Sequence, residues 1–237
     1  MIDVRIVDDP ARVVADILVD VACAGGHVAL AGGSTPRRAY ELAAEADADL
    51  SAATLWLGDE RVVPAEDERS NARMIREALT DRIPEERRPR LMAVDTELGP
   101  AAAAAGYESR LREELGNHPR LDLVLLGLGP DSHTASLFPG KPALQETHRL
   151  VTAVPEAGME PQVPRVTMTY PLLNTAREVV FLVAGADKAE ALRRAFGDPP
   201  DESSPAAHVR PGAGTSRSPV ARRRAAPTSS PPRPTPT

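Results

Sequence analysis

The sequence predicts a three-layer α/β fold with a mainly parallel central sheet flanked by helices, and two observations carry that reading. Short β-branched or leucine-rich runs alternate with segments of helical period, the order from which crossover connections build a parallel sheet. The run Leu121–Gly127, LDLVLLG, is continuous apolar sequence, as a central strand covered on both faces requires.

Val4–Val7 reads as a first strand. Val13, Val14, Ile17, Leu18 and Val21 then recur at helical spacing until Gly25-Gly26 stops the helix. Val28–Ala31 is a second strand, Pro36–Ala46 a helix, and Thr54–Leu57 a third strand followed by a charged loop. A helix is expected from Asn71 to Leu79, a strand at Leu91–Val94, and a helix whose inner face carries Tyr107, Leu111 and Leu115. Beyond the central run, Val151–Val154, Arg165–Thr169 and Val179–Val183 read as strands and Lys188–Phe196 as a helix. No internal repeat of fixed period is present.

The 237 residues divide unevenly. From Asp198 onward there are 10 of the 24 prolines, six arginines, three acids and no Leu, Ile, Met or Phe, a composition that buries too little apolar surface to offset ordering entropy. The expected organisation is one domain over residues 1–197 and a disordered tail over 198–237. The body carries 22 basic and 31 acidic residues, net −9, against +3 for the tail. An acidic body argues against nucleic acid as a partner, and the tail's single basic cluster, Arg222–Arg224, has no aromatic beside it. A lone cysteine, Cys23, excludes a disulfide framework and a multi-cysteine metal site and suits a reducing, cytoplasmic setting. The N-terminus lacks the pattern of a secretory signal, and no apolar run approaches the roughly 20 residues of a membrane span.

Four places could carry chemistry. Ala31-Gly32-Gly33-Ser34-Thr35-Pro36 lies between a strand and a helix. Its glycines permit close approach of an anion, Ser34 or Thr35 could cap the helix, Pro36 suits the first helical position, and the free N–H groups there favour phosphate. An ordinary strand-to-helix turn is the competing reading, and no Gly-Lys-Ser/Thr follows as in a nucleotide-binding loop. Gly58-Asp59-Glu60-Arg61 sits beyond the carboxyl end of a strand, where open α/β sheets bind ligands; taken alone, a charge run of this kind reads more readily as a solvated loop. After the central strand comes GLGPDSHTASLFPG, residues 127–140. Ser132 stands where a dinucleotide fingerprint needs its third glycine, and Pro139 bars a long helix, so no dinucleotide cofactor is expected. What remains is His133 two residues from Asp131, an imidazole that a carboxylate could hold and polarise. Finally, Arg165 on a strand and Lys188 after Gly185 could close on a phosphate, or be two surface cations. The other histidines lack metal-ligand spacing, and neither HExxH nor Gly-x-Ser-x-Gly occurs, so no metal is expected.

Taken together, LAGGSTPRRAYELA, LWLGDERVVPAEDERSNARMI, LDLVLLGLGPDSHTASLFPG and PRVTMTYPLLNTAREVVFLVAGADKAEAL resemble the 6-phosphogluconolactonase family, within the larger glucosamine/galactosamine-6-phosphate isomerase superfamily. They run in that family's order over Leu30–Leu192. Deaminases of the superfamily continue differently after the histidine, so His-Thr-Ala-Ser-Leu-Phe-Pro-Gly points to the lactonase branch. The resemblance implies a Rossmann-like version of the α/β architecture and the opening of 6-phosphoglucono-δ-lactone by water, without metal or organic cofactor. It makes His133 the general base and Asp131 its orienting carboxylate. It gives the phosphate to Gly32, Gly33, Ser34, Thr35, Arg165 and Lys188, and the sugar end to Asp59 and Arg61. The expected partner is the small-molecule substrate alone, with neither nucleic acid nor membrane, and the expected state a monomer, with a dimer as the alternative. A glucosamine-6-phosphate deaminase and a non-catalytic sugar-phosphate sensor are the rival functions; the sensor would not need His133.

Two departures from the family stand out. The family has glycine where this chain has Ser132, and a positive φ there would strain serine. After Gly214 the resemblance fades into Arg, Pro and Ser, so the family's final apolar strand and Ala-rich helix are expected to be missing. A reading-frame change would explain the switch, and one sheet edge would be left uncovered.

Overall fold

The computed structural model describes residues 4–211 and 216–222. In chain order the elements are β1 (Arg5–Val7), α1 (Pro10–Cys23), β2 (His27–Leu30), α2 (Ser34–Ala44), β3 (Thr54–Leu57), β4 (Asp59–Arg61), α3 (Asn71–Ala78) and β5 (Arg90–Met92). There follow α4 (Pro100–Leu115), β6 (Leu123–Leu126), β7 (Val151–Val154), β8 (Arg165–Met168), the short α5 (Tyr170–Leu173), β9 (Glu178–Val183), α6 (Ala189–Phe196) and β10 (Ser216–Arg222). Local chemistry sets several starts. The Asp9 side chain accepts the Arg12 N–H and Pro10 fills the first position of α1, where a missing N–H costs nothing; Ser70 caps α3 through the Arg73 N–H.

Seven strands form one wholly parallel sheet in the order β1-β10-β9-β6-β2-β3-β5, as the alternating strand and helix runs predict. From β2 the chain moves outward to β3 and β5, then returns to the other side of β2 as β6 and moves outward again to β9. The order therefore reverses between β2 and β6, and the loops leaving those two strands part to open a crevice. All four residues of β6 are buried, as their continuous apolarity requires. Helices α1 and α2 pack on each other, and α4 packs on β7 and β8. The core includes the fully buried Trp56, Tyr40, Tyr107, Phe138 and Phe181. The polar ends of its tyrosines are satisfied: Tyr40 donates to the Ala31 carbonyl (2.8 Å), and Tyr107 accepts the Leu57 N–H (2.6 Å) and donates to the Met92 carbonyl (3.0 Å).

Three features differ from the sequence reading. The runs at 151–154 and 165–168 do not join the main sheet but form an antiparallel one, β4-β8-β7. Asp59–Arg61, expected as a charged loop, is a strand of that sheet. Gly58 joins the two sheets, its N–H on the Leu30 carbonyl and its own carbonyl on the Met168 N–H. The third correction concerns the tail expected to be disordered from Asp198. Residues 198–211 are placed and contain a single 3-10 turn, Pro205–His208, with Ala206, Ala207 and Val209 buried. Small apolar side chains suffice here because the backbone supplies the anchorage: Tyr170 donates to the Pro205 carbonyl (2.9 Å), Asn174 to the His208 carbonyl (3.1 Å), and Asn174 Oδ1 accepts the Arg210 N–H (2.6 Å). The strand expected to be missing is present as β10, paired between β1 and β9, so that edge of β9 is covered by main-chain hydrogen bonds despite the polar sequence SRSPVAR. The expected loss of a final helix, and the rest of the tail at 212–215 and 223–237, fall outside the described residues.

Candidate active site

The crevice between the β2 and β6 loops is a cleft of about 410 Å³, within the roughly 300–1,000 Å³ of small-molecule sites. Gly32, Gly33, Ser34 and Thr35 line it from the turn after β2. The N-cap of α2 is Gly33 at φ 109°, with no side chain capping the helix. Contrary to the sequence reading, Ser34 and Thr35 do not cap the helix; they are helical, and Pro36 is third rather than first. The N–H groups of the first turn are left for whatever occupies the cleft, an arrangement suited to an anion. Gly32 is obligatory for a different reason: a Cβ there would lie 1.9 Å from Asn71 Oδ1.

On the opposite lip, the loop after β6 carries His133 and Asp131. His133 lines the cleft, while Asp131 sits behind it and accepts both the His133 backbone N–H (3.1 Å) and the ring Nδ1–H (2.5 Å) on Oδ1. The second contact fixes the tautomer: Nδ1 carries the proton, and Nε2 is left as the basic nitrogen. Partial burial pushes the Asp131 carboxyl up, but the hydrogen bonds and charge of His133 outweigh it and hold the group below the usual range. The imidazole packs on Phe138, with ring centroids 4.7 Å apart. Gly129 makes room for the pair, since a Cβ there would fall 2.0 Å from His133 Nδ1 and 2.7 Å from Asp131 Oδ1.

Ser132, between the two, does adopt the positive φ that the sequence comparison raised, at 66°. It is wholly buried, its hydroxyl has no hydrogen-bond partner, and its carbonyl accepts the Ala206 N–H (3.1 Å) from the C-terminal segment. Serine is thus doubly disfavoured here, by backbone conformation and by an unsatisfied buried hydroxyl.

The cations come from the antiparallel sheet and from the turn after β9. Arg165 is 3 % exposed, stacks over Phe138 (5.5 Å to the centroid) and donates to the Pro161 carbonyl (3.1 Å), but its Nε has no partner. Burial is the chief influence lowering its pKa; nearby Asp59 acts to raise it and Arg61 to lower it. Arg61 donates to the Arg69 carbonyl (2.7 Å) and also leaves Nε unpartnered. Lys188 lines the cleft with its Nζ 3.9 Å from the Asp187 carboxylate. Among the described residues neither arginine forms an ion pair, although the Asp59 carboxylate lines the same cleft. A smaller cavity of about 210 Å³ beside α2 lacks this property: its Arg82 and Arg87 already face Glu41 (3.6 Å) and Asp47 (2.7 Å).

Asp59 lines the cleft beside Arg61, as expected, yet both its oxygens are engaged, Oδ2 by Ser136 Oγ (2.5 Å) and Oδ1 by Asn71 Nδ2 (3.3 Å). Sequence reasoning missed Ser136, Asn71 and Glu60. Glu60 points the other way from β4 and accepts the N–H groups of Arg61, Asn71 and Ala72, each at 2.7 Å, which clamps the start of α3 to the strand. Its burial pushes its carboxyl up against the pull of those donors. The signal for it, two charges on alternate faces of a strand, is too short to recognise in three residues.

Fold and site together define an α/β protein whose cleft is lined by cations and by the histidine of a histidine–aspartate pair. Residues 8–217 match the family model described as glucosamine-6-phosphate isomerases/6-phosphogluconolactonase, and the chain belongs to that family. It is 42% identical over 181 residues to a 6-phosphogluconolactonase of Nostoc sp., covering 74% of this chain and 73% of that one. With the 6-phosphogluconolactonase of Homo sapiens it shares 38% over 169 residues, covering 70% and 65% of the two chains. Among solved structures it is similar to 6-phosphogluconolactonase from Trypanosoma cruzi, with a TM-score of 0.82 at 31% identity over 93% of this chain and 94% of that one. The Thermotoga maritima 6-phosphogluconolactonase matches with a TM-score of 0.76 at 32% identity, over 93% and 100%. A monomeric glucosamine-6-phosphate deaminase shares the fold, with a TM-score of 0.72 at 21% identity.

Proposed function

We propose that the chain hydrolyses 6-phospho-D-glucono-1,5-lactone to 6-phospho-D-gluconate, the lactone-opening step of the oxidative pentose phosphate pathway. The observation that carries this reading is one cleft holding both a His133 whose Nε2 is free and the unpaired guanidinium of Arg165. His133 Nε2 takes a proton from water as its oxygen attacks the lactone carbonyl carbon, and Asp131 stabilises the imidazolium so formed. As the tetrahedral intermediate collapses, the bond from that carbon to the ring oxygen breaks. His133 returns the proton to the departing oxygen, which becomes the free hydroxyl of the open-chain acid. A lactone is an activated ester, so positioning and one base account for much of the rate. Arg165, Lys188 and the first-turn amides of α2 hold the phosphate, and Arg61 and Asp59 border the sugar.

We read Arg5–Arg222 as one such domain, working as a cytoplasmic monomer on a sugar phosphate. The lone cysteine supports the compartment, and no helix among the described residues is long and apolar enough to cross a membrane. The test is opening of freshly generated 6-phosphogluconolactone above its spontaneous rate, run beside ammonia release from glucosamine 6-phosphate. Acceleration of the first without the second is expected; ammonia release without lactone opening would place the chain with the deaminases.

A further inference from the structure

Asp59 stands in a position that calls for explanation. On β4 it shares a face with Arg61, and across the antiparallel pair Asp59 is registered with Thr167 and Arg61 with Arg165. A carboxylate one diagonal step from Arg165 on the same face is within reach of a long side chain, and an ion pair is the default outcome. None forms. Instead Ser136 Oγ holds Oδ2 at 2.5 Å and Asn71 Nδ2 holds Oδ1 at 3.3 Å while also reaching the Asp59 carbonyl at 2.8 Å. Ser136 is itself wholly buried, and its backbone N–H is fixed on Thr167 Oγ1 (3.1 Å), the residue registered with Asp59. The serine comes from the loop that carries His133, three residues further on.

We propose that Ser136 is a positioning residue that turns the Asp59 carboxylate away from Arg165 and Arg61, keeping those cations unpaired for an incoming phosphate. The inference rests on the reading of Arg165 as a phosphate ligand. Without the Ser136 hydroxyl, Oδ2 is free to swing to Arg165, and a built-in anion then competes with the ligand. The lost affinity belongs to the phosphate, so KM rises while the turnover of bound substrate is spared.

The experiment compares Ser136→Ala in the wild-type chain and in Asp59→Asn, reading lactone KM and kcat and the calorimetric affinities for 6-phosphogluconate and for gluconate. In the wild-type background Ser136→Ala should raise KM and weaken 6-phosphogluconate about tenfold, the scale of one hydrogen bond to a charged group, with kcat within about threefold and gluconate unaffected. In Asp59→Asn the same change should cost nothing further, because an amide does not compete for a cation. Ser136→Cys keeps the volume and weakens the donor, so it serves the same comparison if the alanine variant does not fold. Equal losses in both backgrounds, or a fall in kcat with KM unchanged, would overturn the proposal. Arg165→Ala tests the underlying reading separately: if it leaves the preference for 6-phosphogluconate over gluconate intact, Arg165 is not a phosphate ligand and the proposal falls with that reading. If it removes the preference while Ser136→Ala behaves alike in both backgrounds, only the role of Ser136 is lost.

Discussion

Two histidines, one at each end of the parallel sheet, stand beside an aspartate and an aromatic ring, yet they are wired in opposite senses. At the amino end, His27 opens β2. Its backbone N–H goes to Asp122 Oδ2 (2.9 Å), its ring stacks on Trp56 (6.2 Å between centroids), and Nδ1 accepts the Trp56 indole N–H (3.1 Å). Asp122 meanwhile pairs with Arg177 (3.0 Å). The lone pair is spent, the charges are matched, and burial above all lowers the ring's pKa. At the carboxyl end, His133 donates its Nδ1–H to Asp131 and keeps the Nε2 lone pair, in a cleft whose Arg61 and Arg165 each leave Nε without a partner. Proximity of His, Asp and an aromatic thus does not mark a base; what matters is which ring nitrogen the partners consume.

The strongest way to break this comparison is to truncate both rings. His133→Ala should lower turnover by about 10²–10⁴-fold with little change in stability. His27→Ala should leave turnover within about threefold but destabilise the fold by about 1–2 kcal/mol, because the Trp56 N–H loses its acceptor. Steady-state kinetics and urea titration of the two variants decide it, and a folded His133→Ala at full turnover would end the assignment. A gentler displacement follows from Gly129→Ala. The added methyl must push His133 and Asp131 aside, and a shift on the ångström scale should cost about 10²-fold in kcat with KM for the lactone nearly unchanged.

Much of this contrast was legible in the sequence, and the reason is the sheet. A four-residue apolar strand announces where it ends, so the sequence alone assigns the motifs after β2 and β6 to the ligand side. Beyond the adjacent Asp131 and His133, the wiring was not legible, because it depends on pairs brought together only by the fold. Ser136 meets Asp59 across 77 residues of chain, and the Ala206 N–H meets the Ser132 carbonyl from a segment whose composition reads as disorder. Backbone hydrogen bonding is indifferent to side-chain apolarity, so compositional reasoning passes over both that segment and β10.

Ser132 sharpens the comparison, since in the His133 loop it joins a left-handed φ, shared only with Ala135 (47°) among that loop's non-glycine residues, to a buried hydroxyl without a partner. Ser132→Gly removes both the left-handed strain and the unsatisfied hydroxyl, against the extra entropy of glycine, and should stabilise the protein by about 1–2 kcal/mol. Ser132→Ala removes only the hydroxyl and should recover less. Denaturant midpoints of the three forms separate the two costs; a glycine variant no more stable than the alanine variant would mean that relieving the φ of 66° gains no more than the added entropy of glycine costs.

The smallest effect returns to His27. Its folded-state pKa lies below the ordinary 6.5 because burial disfavours the imidazolium; protonating Nδ1 would also oppose it to the Trp56 N–H. The unfolded chain, with a His27 of ordinary pKa, takes up a proton first as the pH falls, so stability should decline from about pH 6.5 downward and level off once the folded ring also protonates. His27→Gln cannot titrate, and its amide oxygen can still accept the indole N–H. Urea midpoints between pH 8 and pH 5 should therefore fall more steeply for the wild type than for this variant. Parallel slopes would show that the ring's protonation is indifferent to folding, and the distinction between a spent and a free imidazole would then rest on the cleft histidine alone.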